Sequence, residues 1–198
     1  MIIGLTGGIA SGKSTVAAML KEYGLPIVDA DVVARQVVEV GEETYNKLVS
    51  VFGEEILQED KSLDRVKLGK LIFENKEKRE RLNSIMHPSI RNRMKEESRE
   101  YQEKGHRTVV MDIPLLFESK LTHLVEKTLL VYVDEAVQLE RLMKRNSLSK
   151  EDAMARITSQ MPLREKVDLA DEVIQNNGSL EETKEQLHDI LKKWAIQI

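Results

Sequence analysis

Residues 1–15, MIIGLTGGIASGKST, decide the fold, because an apolar run passes into a glycine-rich turn and then directly into a helix. The pattern G-x-x-x-x-G-K-[ST] is met at Gly7, Gly12, Lys13 and Ser14. Gly7, Gly8 and Gly12 let the backbone curl so that successive N–H groups converge, and the helix opening at Gly12 points its positive dipole end into the same hollow. A polyphosphate fits such a hollow. The Lys13 ammonium reaches β- and γ-phosphate oxygens, while the Ser14 hydroxyl is placed to ligate a Mg²⁺ bridging them. Ile2, Ile3 and Leu5 supply the strand before the loop; Val16, Met19, Leu20 and Tyr23, at i, i+3, i+4 and i+7, supply the helix after it. This context separates the motif from a glycine turn carrying a solvated lysine.

Working outward, 198 residues suit one core with room for an inserted subdomain. Hydrophobic residues at 41% and charged ones at 32% are the balance of a globular chain with heavily charged outer helix faces. A net charge of −4 argues against a nucleic-acid partner, which calls for a basic excess. The absence of cysteine excludes disulfides, thiolate zinc sites and a cysteine nucleophile. No apolar run approaches the ~18 residues that span a bilayer, and the chain opens in a strand without a basic leader, so a cytoplasmic address without membrane association is expected. A monomer is the expected state, with higher assembly left open.

Gly24 closes the first helix and Pro26-Ile27-Val28-Asp29 reads as a second strand, completing a β-α-β unit within about 30 residues and predicting a parallel sheet. Residues 31–101 read as helical throughout, in segments 32–38, 42–52, 64–73, 76–86 and 88–103. Seventy residues are long for a crossover, which predicts a helical insertion beside the sheet. Further strands are expected at 107–112, 129–133 and 171–174. Asp134 is expected to cap the helix carrying Leu139, Leu142 and Met143. Ser149-x-x-Asp152 is expected to open a short helix, and Ser179-x-x-Glu182 is a full capping box opening the last one.

Asp29-Ala30-Asp31 ends the second strand, at the sheet edge where ligands of parallel α/β proteins bind. Extended alternation puts Asp29 and Asp31 on one side, so that one takes a proton from an acceptor hydroxyl and the other serves the metal's water shell; the alternative is that Asp31 merely caps the next helix. Asp112 ends an apolar strand in the manner of a carboxylate supporting Mg²⁺, or else caps a turn. His87-Pro88-x-x-Arg91 offers two groups able to meet a phosphate or purine edge, or marks a helix boundary. Arg141, Lys144, Arg145, Arg156 and Arg164 read either as a basic lid that closes over a transferring phosphoryl group or as a solvated face. Asn176 and Gly178 read either as nucleotide contacts or as a turn.

Taken together, the ordered set Gly4 to Thr15, Asp29-Ala30-Asp31 with Ala34-Arg35, His87-Pro88, Pro114-Leu115-Leu116-Phe117-Glu118, Gln160-Met161, Arg164 and Ala170-Asp171-x-Val173-Ile174-x-Asn176-x-Gly178 resembles the dephospho-CoA kinases over nearly the whole chain. The resemblance implies an α/β P-loop NTP hydrolase fold, a three-layer α/β/α sandwich with a five-stranded parallel sheet like that of adenylate kinase. It implies a core of residues 1–31, 105–140 and 165–198, a CoA-binding insertion at 32–104 and a lid at 141–164. It also implies ATP as donor with Mg²⁺, dephospho-CoA as acceptor, and transfer to the ribose 3′-hydroxyl. Asp31 is then the base, with Lys13 and Arg141 the other catalytic groups. Gly8, Ile9, Ala10, Ser11, Gly12, Lys13, Ser14, Thr15, Arg141, Arg145, Asn176 and Gly178 meet ATP. Thr6, Asp31, Arg35, His87 and Arg91 meet the acceptor, and Ser14 and Asp112 the metal. Ala10 replaces a glycine common in such chains, a change expected to be silent at negative φ. From the loop and lid alone, another small-molecule kinase fits equally well. A GTPase switch fits less well, for no N-K-x-D segment is present.

Overall fold

The computed structural model describes residues 1–73 and 75–197. It separates into two compact units, Met1–Val28 with Ser98–Ile198, and Asp29–Glu97. In chain order the elements begin β1 (Ile2–Gly7), α1 (Lys13–Glu22), β2 (Ile27–Asp29), α2 (Ala30–Gln36), α3 (Glu43–Phe52), α4 (Arg65–Phe73) and α5 (Lys76–Glu103). They continue with β3 (Val109–Asp112), β4 (Lys127–Tyr132), α6 (Glu135–Asn146), α7 (Lys150–Thr158), α8 (Leu163–Val167), β5 (Glu172–Gln175) and α9 (Leu180–Lys193).

The first unit is built on a five-stranded parallel sheet of order β2-β3-β1-β4-β5. The central strand β1 pairs on one side with β3, placing Leu5 beside Asp112, and on the other with β4, placing Gly7 beside Val131. Helices covering a parallel sheet demand apolar side chains on both faces of such a strand. Ile3, Leu5, Leu129, Val131 and Ile174 pack against Val16 and Leu20 of α1 and Leu187 and Leu191 of α9. Leu130 and Val133 pack with Leu163 of α8 in a separate cluster. Each such aliphatic side chain, fully buried, contributes about 1.5–3 kcal/mol. The result is the expected three-layer α/β/α fold.

The strand ends differ by one to two residues from the sequence reading. Asp171 stands just outside β5, and its side chain explains the shift. Its carboxylate accepts from both the N–H and the hydroxyl of Thr128, each at 2.8 Å, and its own N–H donates to Thr128 Oγ1. Side-chain bonds thus replace the ladder at that position. Asp134 occupies the N-cap of α6 but makes no side-chain cap bond; its carboxylate accepts from the Tyr132 hydroxyl instead. Ser149 accepts from the Asp152 N–H, and its hydroxyl donates to the Asp152 carboxylate. At α9 the capping box of Ser179 and Glu182 is complete.

In the second unit, α3 buries Tyr45, Leu48 and Phe52, and α4 buries Leu68. The two helices expected at 76–86 and 88–103 are one, α5, with Pro88 inside it. Proline removes one N–H donor and crowds the preceding turn. Beside the proline, the Ser89 hydroxyl donates to the Ile85 carbonyl at 3.1 Å and receives the Thr44 hydroxyl at 2.7 Å, which ties this turn of α5 to α3.

Candidate active site

The loop between β1 and α1 turns on backbone that most side chains avoid. Gly12 has φ +89, and a Cβ there would lie 2.1 Å from Asn176 Nδ2. Ala10 has φ +59, so the negative φ on which a silent replacement of glycine depended is not met. It carries the left-handed conformation at a cost of roughly 1–2 kcal/mol, held by its surroundings. Those surroundings are a cluster of Leu142, Ala153 and Ile157, against which Ile9 and Ala10 pack. The 141–164 segment is thereby joined to the loop through its apolar face.

Four carbonyls of the loop are drawn outward by fixed donors. Lys166 Nζ donates to the Gly7 carbonyl at 3.2 Å, the Ser11 N–H to Gly8 at 3.1 Å, Gln138 Nε2 to Ile9 at 2.8 Å, and Asn176 Nδ2 to Ser11 at 2.8 Å. The Gln160 side chain accepts the Ile9 N–H at 2.9 Å. In a trans peptide the N–H points opposite to the C=O, so tethering the Gly7, Ile9 and Ser11 carbonyls aims the N–H groups of Gly8, Ala10 and Gly12 to the other side. The hollow expected for phosphate is held open by side chains from three separate parts of the chain.

Lys13 opens α1 at the foot of this hollow. Its ammonium lies 2.5 Å from Asp112 Oδ1, with the two side chains 18% and 6% exposed. Asp112 is therefore not an isolated acid at the strand end; it neighbours the loop lysine. Ser14 is exposed in the same helical turn. A hydroxyl and a carboxylate are hard oxygen donors, the kind Mg²⁺ takes together with phosphate oxygens. Among the described residues no group of three or more His, Cys, Asp or Glu could hold a metal. Arg141 Nη1 would lie 3.9 Å from a Cβ on Gly12, which brings its guanidinium to the start of α1. Arg145 is exposed and donates to the Asn146 side chain.

Other expected contacts have further tasks. Asn176 is buried, with its amide donating to Ser11 and accepting from the Thr183 hydroxyl at 2.8 Å. Gly178 lies against the capping box: a Cβ there would lie 1.8 Å from Glu182 Oε2, so the flexible end of that side chain would have to shift. The buried Thr6 hydroxyl donates to the Pro114 carbonyl and braces the turn after β3. Gln138, Gln160 and Lys166 were not singled out as site residues by sequence reasoning. A polar residue at a core-facing helical position was the available sign, since Gln138 shares a face with buried Leu142, and Lys166 follows buried Leu163 by three residues.

In the second unit, Asp29 caps α2, its carboxylate accepting from the N–H groups of Asp31 at 2.8 Å and Val32 at 3.1 Å. Asp31 is thus not the cap, and the extended alternation expected for Asp29 and Asp31 does not apply, because the helix starts at Ala30. Asp31 and Arg35 are exposed and stand one turn apart on α2, a spacing that places them on one face. His87 is exposed and Arg91 half-buried at the same spacing on α5.

A parallel sheet with a tethered glycine loop after β1, a lysine and hydroxyl opening α1, and an arginine beside it defines a P-loop phosphotransferase. Within that class the chain belongs to the dephospho-CoA kinase family, whose family model, described as dephospho-CoA kinase (CoaE), matches residues 1–182. A Bacillus cereus protein named dephospho-CoA kinase is 59% identical over 196 residues, 99% of this chain and 98% of that protein. Among solved structures, TT1252 from Thermus thermophilus gives a TM-score of 0.82 at 36% identity, covering 98% of this chain and 97% of that one. A dephospho-CoA kinase from Campylobacter jejuni gives 0.74 at 29% identity, with 98% and 96% covered. These matches do not favour the other small-molecule kinases or the GTPase that the loop alone admits.

Proposed function

We propose that the chain, as a dephospho-CoA kinase, moves the γ-phosphoryl group of ATP to the 3′-hydroxyl of the ribose of dephospho-CoA, giving CoA and ADP. The observation that carries the mechanism is the phosphate loop with its carbonyls tethered outward and both Lys13 and Arg141 at the start of α1. Phosphoryl transfer asks little covalent chemistry of a protein; it asks for positioning and for charge stabilisation. The N–H groups of Gly8, Ala10 and Gly12 receive the phosphates, and Lys13 and Arg141 neutralise charge developing on the migrating group. Ser14 and Asp112 would hold the Mg²⁺ that accompanies ATP, and the ion would supply charge neutralisation at the phosphates.

Asp31 takes the proton of the acceptor hydroxyl, supported by its exposure and its position just after the carboxyl end of β2. Arg35, His87 and Arg91 bind the acceptor, within an insertion assigned to residues 32–104, and residues 141–164 serve as the lid that excludes water from ATP. The cysteine-free chain suits a reducing cytoplasm, and among the described residues no helix is long and apolar enough to cross a membrane. A monomer supplies every group named here.

The test is direct. The protein is incubated with Mg-ATP and dephospho-CoA, and the products are weighed by mass spectrometry. CoA and ADP in equal amounts are expected; ADP without CoA, or no turnover by folded protein, would overturn the assignment.

A further inference from the structure

Lys166 is 0% exposed, on a helix whose Arg164 and Glu165 face solvent. An ammonium taken out of water is strongly unfavourable unless it is both paired and hydrogen-bonded. Both conditions are met here, because Nζ lies 2.7 Å from Glu118 Oε1 and donates to the Gly7 carbonyl at 3.2 Å. The Glu118 side chain is 21% exposed, and neither of its oxygens accepts an aligned hydrogen bond among the described residues. The Lys166 charge is what stabilises it. A buried pair of this kind adds little stability over apolar residues of the same volume. What it supplies is a donor that cannot swing away, fixed directly behind the first residue of the phosphate loop.

We propose that Lys166, held by Glu118, is a positioning residue for the nucleotide phosphates. Drawing the Gly7 carbonyl backward turns the N–H of the same peptide, that of Gly8, toward the hollow, since the two groups of a trans peptide point oppositely. No side chain of Gly7 or Gly8 can do this, and the ladder from β1 ends there. Gln138 and Asn176 act likewise on Ile9 and Ser11, but they are neutral amides. The Lys166 bond, at 3.2 Å the longest of the three, is the one whose donor carries a charge. Glu118 lies in the Pro114–Glu118 turn after β3, whose first residue is braced by Thr6, so the pair ties the turn after β3 to the loop after β1.

The inference rests on the loop binding a nucleotide, and its test separates the two ideas. Lys166→Met alone leaves Glu118 buried without its partner, so the double variant Lys166→Met with Glu118→Leu, which removes both charges, is measured beside it. Glu118→Gln, which keeps the volume, is the third. Dissociation constants for ATP, ADP and adenosine are read by calorimetry, with circular dichroism reporting the fold. The double variant is expected to be folded and to lose roughly 10-fold or more in affinity for ATP and ADP while binding adenosine as the parent does. Glu118→Gln is expected to lose several-fold for the same two ligands. In folded variants, unchanged ATP and ADP affinity, or an equal loss for all three ligands, overturns the positioning role. A parent protein that binds adenosine but gains nothing from phosphates overturns the nucleotide reading itself.

Discussion

Lys13 Nζ stands 2.5 Å from Asp112 Oδ1, joining the loop after β1 to the last residue of β3. The pair is partly buried, and it has two possible uses: Asp112 holds the lysine in place, or it also serves Mg²⁺. Asp112→Asn distinguishes them. It is expected to lower kcat/KM roughly 100-fold and to raise the Mg²⁺ concentration giving half the maximal rate. A coupled ADP assay titrated with Mg²⁺ reads both. An unchanged Mg²⁺ requirement would leave Asp112 with the lysine alone.

Asp31 is exposed at the first turn of α2, while Asp29 does the capping. Removing the Asp31 carboxylate should therefore spare the helix. Asp31→Asn is expected to reduce kcat by about 10²–10⁴ with the dissociation constant for ATP changed less than about twofold. Parental turnover in the variant would take the base role away from Asp31.

Ala10 holds φ +59 in the loop. Ala10→Gly relieves about 1 kcal/mol of left-handed strain but frees the unfolded chain by about 0.4–1 kcal/mol, so a net change within about 0.5 kcal/mol is expected. A β-branched residue has no such relief, and Ala10→Val should cost about 2 kcal/mol. Urea unfolding monitored by circular dichroism measures both. Equal stability of the valine variant would contradict the backbone argument.

A Cβ on Gly178 would meet Glu182 Oε2. Gly178→Ala is expected to displace Glu182 from the capping box and to cost about 1 kcal/mol. In a Glu182→Ala background the same substitution should cost less, because the clashing group is gone. Additive losses in thermal unfolding would show that the two positions do not meet.

Burial opposes the Asp171 charge, but the Thr128 hydroxyl and N–H and the Lys127 ammonium outweigh it and hold its pKa below the ordinary 3.8. A depressed carboxyl pKa contributes stability that is fully present above 3.8 and is lost as pH falls through the folded-state value. Asp171→Asn is therefore expected to be less stable than the parent at neutral pH by about 0.5 kcal/mol, a figure reduced for the 40% exposure of the side chain. The gap should close below pH 3.8. A constant gap between pH 7 and pH 3 would remove the charge from the explanation.

The sheet was legible because β1, β3 and β4 carry continuous apolar runs that admit few other environments, and helix starts were legible where a capping box such as Ser179–Glu182 spells them out. Pro88 misled, because proline marks a helix boundary by local rule while here α5 runs through it from Lys76 to Glu103. The extended alternation expected for Asp29 and Asp31 failed because the helix begins between them at Ala30, which makes Asp29 the cap.

From its sequence alone the chain specified a phosphate loop, a parallel α/β sheet and the identity of Lys13, Ser14 and Asp31 as groups able to do chemistry, because each rests on local spacing within one strand, turn or helix. Tertiary structure alone decided what holds that loop. Lys166, Gln138 and Asn176 lie 159, 129 and 165 residues from the carbonyls they bind, and no local pattern connects them. Only the packing of β1 beside β4, with α6 and α8 bearing on the loop, brings those donors to the far side of its peptides. Sequence spacing supplied the groups that would meet the phosphates; long-range burial supplied the groups that aim them.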